Sequence, residues 1–244
     1  MSAWNQPPQK LLLAANELHV WRVALALSER RLEQLLRQLD TTETARAERF
    51  HFERDRRRFL AARGQLRELL GFYVGLPPAE VRFRYGERGK PFLDLEQGPD
   101  IRFNLAHSGD LALVAVSRGH EVGVDLEEIR PVVTEAEIAE RFFSPTEVVE
   151  LRSLPPVEHR TAFYRCWTRK EAYLKGVGDG IAFGLDQFSV SFAPGVPPEL
   201  LDTPLDPPEA ARWSFYHLEP GPGFTGAVAV RAIEPKLRCW DLTG

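Results

Sequence analysis

The run from Phe163 to Lys175, F-Y-R-C-W-T-R-K-E-A-Y-L-K, limits what this chain can fold into more than any other stretch. Phe163, Cys166, Trp167 and Leu174 are apolar at helical spacing and can share a core face. Pro155 and Pro156 lie upstream, before the helix can begin. Gly176 and Gly178 read as its stop. Lys170, Glu171 and Lys175 are left over, and Glu171 and Lys175 stack four residues apart on one face. Such a pair is ordinarily an exposed ion pair contributing a few tenths of a kcal/mol. However, the chain holds five lysines against twenty-six arginines, and two of the five fall in this run. That bias points to places where an ammonium is wanted and not just any cation.

A second stretch gives the helix a partner. In Val122 to Glu128, V-G-V-D-L-E-E, the residues Val122, Val124 and Leu126 alternate with Gly123, Asp125 and Glu127. This is a strand pattern, and it puts Asp125 and Glu127 on one face. Two carboxylates side by side on a strand repel. A divalent cation would remove the repulsion, and Mg²⁺ favours a few carboxylates with substrate phosphate and water. Glu171 can supply a third carboxylate from the helix.

Bulk properties exclude several classes. The 244 residues suffice for one large or two small domains with a real core. No apolar run approaches membrane-spanning length. The start, M-S-A-W-N-Q-P-P-Q-K, lacks a signal-peptide pattern, so a cytoplasmic location is expected. Cys166 and Cys239 make no disulfide framework, and zinc spacing is absent. A net charge of −4 argues against a general nucleic-acid binder.

G-V-D followed, after forty-one residues between Asp125 and Trp167, by W-T-x-K-E-A-x-x-K resembles the signature of the 4′-phosphopantetheinyl transferases, in the longer, surfactin-synthetase-activating type. The likeness runs from about Arg46 through the helix and more loosely to the C-terminus. It implies site residues one by one. R-F-H-F-E-R-D-R-R-R-F-L-A-A-R is similar to the family's arginine segment, which sets Arg46 and Arg58 against coenzyme A phosphates. Glu43 stands where some members have a lysine, which leaves open how many cations hold the 3′-phosphate. Lys90 resembles the lysine of the family's G-K-P loop, which contacts the nucleotide. F-N-L-A-H-S-G resembles F-N-[IL]-S-H-S-G, making His107 a phosphate contact, with Ala106 in place of the commoner serine.

In chain order the residues themselves predict a strand near Leu18–Leu25, a helix capped by Ser28, and a second capped by Thr41 or Thr42. Eight arginines between residues 45 and 70, laced with Glu43, Glu48, Glu53, Asp55 and Glu68, read mainly as a solvated helix. Val81–Tyr85 reads as a strand running into a glycine hairpin loop, residues 86–93. Residues 101–109 read as a strand and turn. Leu111–Ser117 and Glu121–Glu128 read as a hairpin through Arg118-Gly119-His120. Helix is expected over residues 135–143, then a capping box at Ser144-Pro145-Thr146-Glu147. After the Phe163–Lys175 helix, G-V-G-D-G-I reads as a loop. Strands are expected at Leu185–Phe192, Trp213–Leu218 and Phe224–Ala232. The six prolines of residues 193–210 mark a surface excursion.

The fold class expected is α+β. The resemblance implies two similar α/β halves with pseudo-twofold symmetry and the active site in the cleft between them. Residues 1–120 would bring the coenzyme A phosphate and adenine contacts, and residues 121–244 the Mg²⁺-binding carboxylates and the catalytic helix. A monomer follows, because each chain would hold a whole cleft. Spacing alone says only Mg²⁺ and a phosphorylated ligand. The resemblance implies the rest: transfer of 4′-phosphopantetheine from coenzyme A to a serine of an apo acyl, peptidyl or aryl carrier protein, leaving adenosine 3′,5′-bisphosphate. Asp125, Glu127 and Glu171 would hold Mg²⁺. Arg46, Arg58, Lys90, His107 and Lys175 would face the phosphates. Lys175 would stabilise developing charge, and either Glu171 or a metal-bound hydroxide would take the serine proton. The alternatives are a Mg²⁺-dependent phosphodiesterase and a non-catalytic nucleotide-binding module.

Overall fold

The structure, a computed structural model, describes residues 3–8, 11–87, 89–94, 98–131, 135–178, 184–204 and 207–242. Alternating apolar residues build two sheets from the strands between residues 4 and 242. In the first, β1 (Trp4–Asn5), β12 (Lys236–Leu242), β2 (Glu17–Ala24), β6 (Leu111–Arg118) and β5 (Ile101–Ser108) lie in that order. In the second, β7 (Val122–Glu128) and β10 (Ser214–Leu218) flank β11 (Phe224–Val230), both antiparallel to it. The architecture is α+β.

The strand period of two sorts the side chains into layers. Trp21, Val23, Val114 and Val116 face α1 (Glu29–Leu36), α2 (Thr41–Ala47) and α3 (Glu53–Val74). Leu18, Val20, Leu113 and Ala115 project the other way and meet Val122, Val124, Leu126, Val228 and Val230 of the second sheet. The far face of that sheet, with Ala227 and Ala229, is covered by the helix α6 (Pro156–Val177). Short helices α4 (Glu135–Phe142) and α5 (Pro145–Ser153) pack beside α6.

Several expectations need correction. Arg118-Gly119-His120 does not close a hairpin. β6 pairs with β2 and β5, whereas β7 pairs with β11, so Gly119 (φ +75°) turns the chain from one sheet to the other. Asp40, not a threonine, caps α2, because its carboxylate accepts from Glu43 N while Glu43 reaches back to Asp40 N. Pro156 is the first residue of α6, where its missing N–H costs nothing. The strand expected at Leu185–Phe192 shortens to β8 (Ser189–Val190), paired with β9 (Leu200–Asp202). The proline-rich excursion also carries the single turn α7 (Pro207–Ala210). β12 was not expected, and it carries the end of the chain back into the first sheet, parallel to β2. The glycine hairpin joins β3 (Phe83–Tyr85) to β4 (Pro91–Leu93) with Gly89 at φ +80°; its Arg88 lies outside the described residues, as do Asp179–Ile181 of the G-V-G-D-G-I loop.

Two arginines of the arginine segment are not solvated. Arg67 is fully buried and Arg63 nearly so. Both donate to Glu43 at 2.7 Å, and Arg67 also reaches Asp40 at 2.8 Å. Glu43 is thus turned inward as the hub tying α2 to α3, and its charge is met by two guanidiniums.

One contact fixes where α6 sits. A Cβ built on Gly123 would lie 2.1 Å from Ala172 O and 2.2 Å from Gly176 N. The strand backbone therefore rests directly on the helix backbone. Gly176 lies inside α6 and does not stop it; Gly178, at φ +69°, is the C-cap. A Cβ on Gly176 would lie 2.7 Å from the Trp213 ring. Neither partner in these contacts is a flexible side-chain end, so relief requires moving the helix. Gly123→Ala is expected to lower the unfolding free energy by more than about 2 kcal/mol. Gly221→Ala, where a new Cβ meets nothing within 4 Å, is expected to stay within about 0.5 kcal/mol of wild type. Urea unfolding of both variants checks this, and equal stabilities would remove the close approach.

Candidate active site

The seat of α6 on β7 decides which side chains meet. Gly123, Asp125 and Glu127 share the strand face turned to the helix, and Ala172 and Gly176 touch it. One step along the strand, Asp125 meets Lys175, whose ammonium donates to Asp125 Oδ1. Lys175 therefore reaches across to the strand, and the exposed Glu171–Lys175 pair is not what forms. Asp125 is only 4% exposed, and its Oδ2 is buried with no hydrogen-bond partner.

The three acids sense one another. Burial raises the Asp125 pKa while the Lys175 ammonium opposes it. Burial and then the Asp125 charge raise that of Glu127, against its bond from Ser108 Oγ at 3.2 Å. Burial raises Glu171 as well, with Lys175 lowering it and Asp125 adding to the rise. Among the described residues no three acidic, histidine or cysteine side chains form a ready-made metal cage. Here the Lys175 ammonium neutralises Asp125 and holds it.

The cationic side is assembled from β5, α3, the β3–β4 turn and α6. His107, next to last in β5, has an exposed side chain; crowding by the surrounding protein lowers its pKa, helped by the charges of Lys175 and Arg58. Arg58, near the start of α3, donates to Asp110 at 2.8 Å in the turn just past His107. Lys90 donates to the Gly176 carbonyl at 2.8 Å and to Glu121 at 3.2 Å, so it also braces the C-terminal end of α6. Lys90 and Lys175 line one cleft of about 320 Å³ with Asn104, Leu105 and Leu174. Arg46 stands apart. Its guanidinium covers the Phe59 ring at 5.5 Å, beside a separate open hollow lined with Thr42, Arg49 and Phe50. Ala106 points its methyl into the layer between the sheets, so a serine hydroxyl there would also be buried.

Sequence reasoning missed four contributors. Gly123 lies within G-V-D and reads only as a strand residue, and Gly176, directly after Lys175, reads only as a stop. Ser108 and Asn104 belong to F-N-L-A-H-S-G but received no role; each bonds β7. Lys170, left over with Glu171 and Lys175 in the helix pattern, lies away from the site. It is fully buried, paired with Glu147 at 2.5 Å, and bonded to the Phe188 carbonyl. Glu147 also accepts from Ser144 N and Val190 N, so its capping box is only half its work.

Here carboxylate oxygens lie beside a rim of lysine, histidine and arginine. Residues 26–119 match the profile described as 4′-phosphopantetheinyl transferase, N-terminal, and residues 121–230 that of the 4′-phosphopantetheinyl transferase superfamily. The chain is 42% identical over 238 residues to the 4′-phosphopantetheinyl transferase HetI of Nostoc sp., covering 97% of both. It is 42% identical over 149 residues to a putative 4′-phosphopantetheinyl transferase of Synechocystis sp., covering 61% of each. It is 33% identical over 165 residues to the 4′-phosphopantetheinyl transferase Sfp of Bacillus subtilis, covering 67% of this chain and 71% of that one. The chain belongs to the 4′-phosphopantetheinyl transferase superfamily and is an enzyme of that class. None of its helices, among the described residues, is long and apolar enough to cross a membrane.

The buried Lys170–Glu147 pair gives a prediction separate from the chemistry. Lys170→Met leaves Glu147 unpaired in the core and is expected to cost about 3–5 kcal/mol of stability. The double variant Lys170→Met/Glu147→Gln is expected to recover a measurable part of that loss. Thermal and urea unfolding of the three proteins check it; a Lys170→Met protein as stable as wild type would show the pair to be dispensable.

Proposed function

We propose that the protein moves 4′-phosphopantetheine from coenzyme A to a serine hydroxyl of an apo acyl, peptidyl or aryl carrier protein, in a Mg²⁺-dependent reaction. The observation that carries this reading is the meeting of Asp125 and Lys175, brought from G-V-D and K-E-A-x-x-K by the glycine contact beneath them. In this reading the site lies between two α/β halves, residues 1–120 and 121–244, related by pseudo-twofold symmetry. His107 and Arg58 come from the first, and the three acids and Lys175 from the second. A monomer in the cytoplasm would hold one whole cleft.

The donor set fits Mg²⁺. All three candidates are carboxylates, the ligand type this ion prefers, and Asp125 Oδ2 is an acceptor out of water with nothing to accept from. Asp125, Glu127 and Glu171 would hold the ion. When bound it would screen the pyrophosphate charge and fix its oxygens. The residues of the chain do the remainder. The serine oxygen forms a bond to the phosphorus bearing the pantetheine arm. The bridging P–O bond breaks, and adenosine 3′,5′-bisphosphate leaves with the electron pair. Glu171 takes the serine proton; burial has already raised its affinity for one. Lys175 turns from Asp125 to the charge developing on the leaving phosphate. Arg58, Lys90 and His107 bind the remaining phosphate oxygens.

Mixing the protein with Mg²⁺, coenzyme A and an apo carrier protein tests the reading by intact mass. A carrier heavier by one phosphopantetheine is expected. Coenzyme A cleaved with the carrier unchanged would mean a hydrolase, and binding without turnover a nucleotide-binding module. Arg58→Ala and Lys90→Ala are each expected to weaken coenzyme A binding by about 1.5–3 kcal/mol, the value of a bond to a charged group. Calorimetry checks it, and unchanged affinity in both would take them out of the site. Glu171→Gln is expected to lower kcat about 10²–10⁴-fold even at saturating Mg²⁺. Asp125→Asn, which removes a ligand and the resting partner of Lys175 but no proposed base, is expected to regain much of its rate as Mg²⁺ is raised. Full recovery of Glu171→Gln by Mg²⁺ would leave Glu171 a ligand and not a base.

A further inference from the structure

β5 and β7 lie edge to edge in different sheets, and among the described residues no backbone ladder joins them. Two side chains of β5 cross this gap. Asn104 Oδ1 accepts from Val124 N at 2.9 Å, and Ser108 Oγ accepts from Glu128 N at 3.1 Å. The spacing is four residues on each strand, about 13 Å of extended chain. The two bonds therefore match in length and hold the strands in one register. Ser108 uses its own proton as well, donating to Glu127 Oε2 at 3.2 Å. Between the two tied amides lie Asp125 and Glu127. Between Asn104 and Ser108, on the same face of β5, lies Ala106, whose methyl packs in the layer between the sheets.

We infer that Asn104 and Ser108 are positioning residues that set Asp125 and Glu127 in place against the His107 end of β5. A carboxylate pair on an edge strand needs such a brace, because its mutual repulsion favours splaying the strand outward. Backbone pairing with β11 holds only the opposite edge of β7. The small Ala106 lets the two strands approach, and the flanking polar side chains satisfy amides that would otherwise be buried without acceptors. The Ser108 bond to Glu127 in addition aims that carboxylate, which ties its orientation to the segment carrying His107. The metal consequence rests on the function proposed above; the register consequence does not.

The test uses the full-length protein in two measurements. The first is hydrogen exchange at single amides. In Asn104→Ala the Val124 amide, and in Ser108→Ala the Glu128 amide, should lose at least about tenfold in protection, while Ala227 and Ala229 of β11 keep theirs. The second is Mn²⁺ binding by calorimetry. Loss of a partner that orients a ligand typically weakens metal affinity about 10–100-fold, and both variants should show a fall in that range. Ser108→Thr, which keeps the hydroxyl, should restore both properties. If Asn104→Ala does not fold, Ser108→Ala, at the half-buried end of β5, carries the test. Unchanged protection at the two amides would overturn the brace, and so would freed amides with unchanged Mn²⁺ affinity. Wild-type protein that binds no Mn²⁺ would instead overturn the metal reading, and the amides would then decide the brace by themselves.

Discussion

Everything that brings the chemistry together here depends on two backbones touching. Because Gly123 has no side chain, α6 comes down onto β7 until Gly176 N and Ala172 O stand where a Cβ would be. Close approach is a use of glycine distinct from its freedom at positive φ. The surroundings agree with it. Ala227 and Ala229 pair with Asp125 and Gly123 and keep the neighbouring strand low under the helix. With the axis so near, a lysine in the last turn of α6 reaches a strand aspartate. A thicker interface would move Lys175 away from Asp125 and Glu171 away from Glu127.

The helix is then held along its back and at its C-terminal end by buried charge. Lys170 and Glu147 form a pair with almost no exposure, and Glu147 spends its other oxygen on Val190 N. Lys90 meets the Gly176 carbonyl, one of the acceptors that a helix C-terminus leaves over. On the other side of the molecule Arg63, Arg67 and Glu43 do the same for α3, whose first turns carry Arg58. Such pairs are weak sources of net stability, but removing one partner is costly, so they fix arrangement more than they add free energy. The chain confines lysine to a few places, and in two of them, Lys170 and Lys90, the ammonium points at a backbone carbonyl as well as a carboxylate.

Much of this was legible in the sequence because it rests on local periodicity. The face shared by Asp125 and Glu127 follows from strand alternation, and the capping box at Ser144 follows from residue type and offset. The family signature could be read because its two motifs are linked at a fixed separation. What could not be read is pairing between distant segments. Nothing local says that β6 and β7, joined by three residues, belong to different sheets, or that β12 returns to lie beside β2. The same limit misassigned single residues. Gly176 looks like a helix stop until Gly123 is known to touch it. Arg67 looks solvated until Glu43 and Asp40 fold over it, since an arginine-rich helix reads the same whether its charges meet water or buried carboxylates.

The central claim is that Asp125, Glu127 and Glu171 form one oxygen-donor site whose resting counter-charge is Lys175. A crystal structure with Mn²⁺ and coenzyme A, read by the anomalous signal of the metal, tests it most directly. The account predicts one peak bounded by those three carboxylates, in contact with the pyrophosphate, and a Lys175 ammonium that has left Asp125 for a phosphate oxygen. A peak elsewhere, or a Lys175 still bonded to Asp125 with the metal and coenzyme A in place, would contradict it.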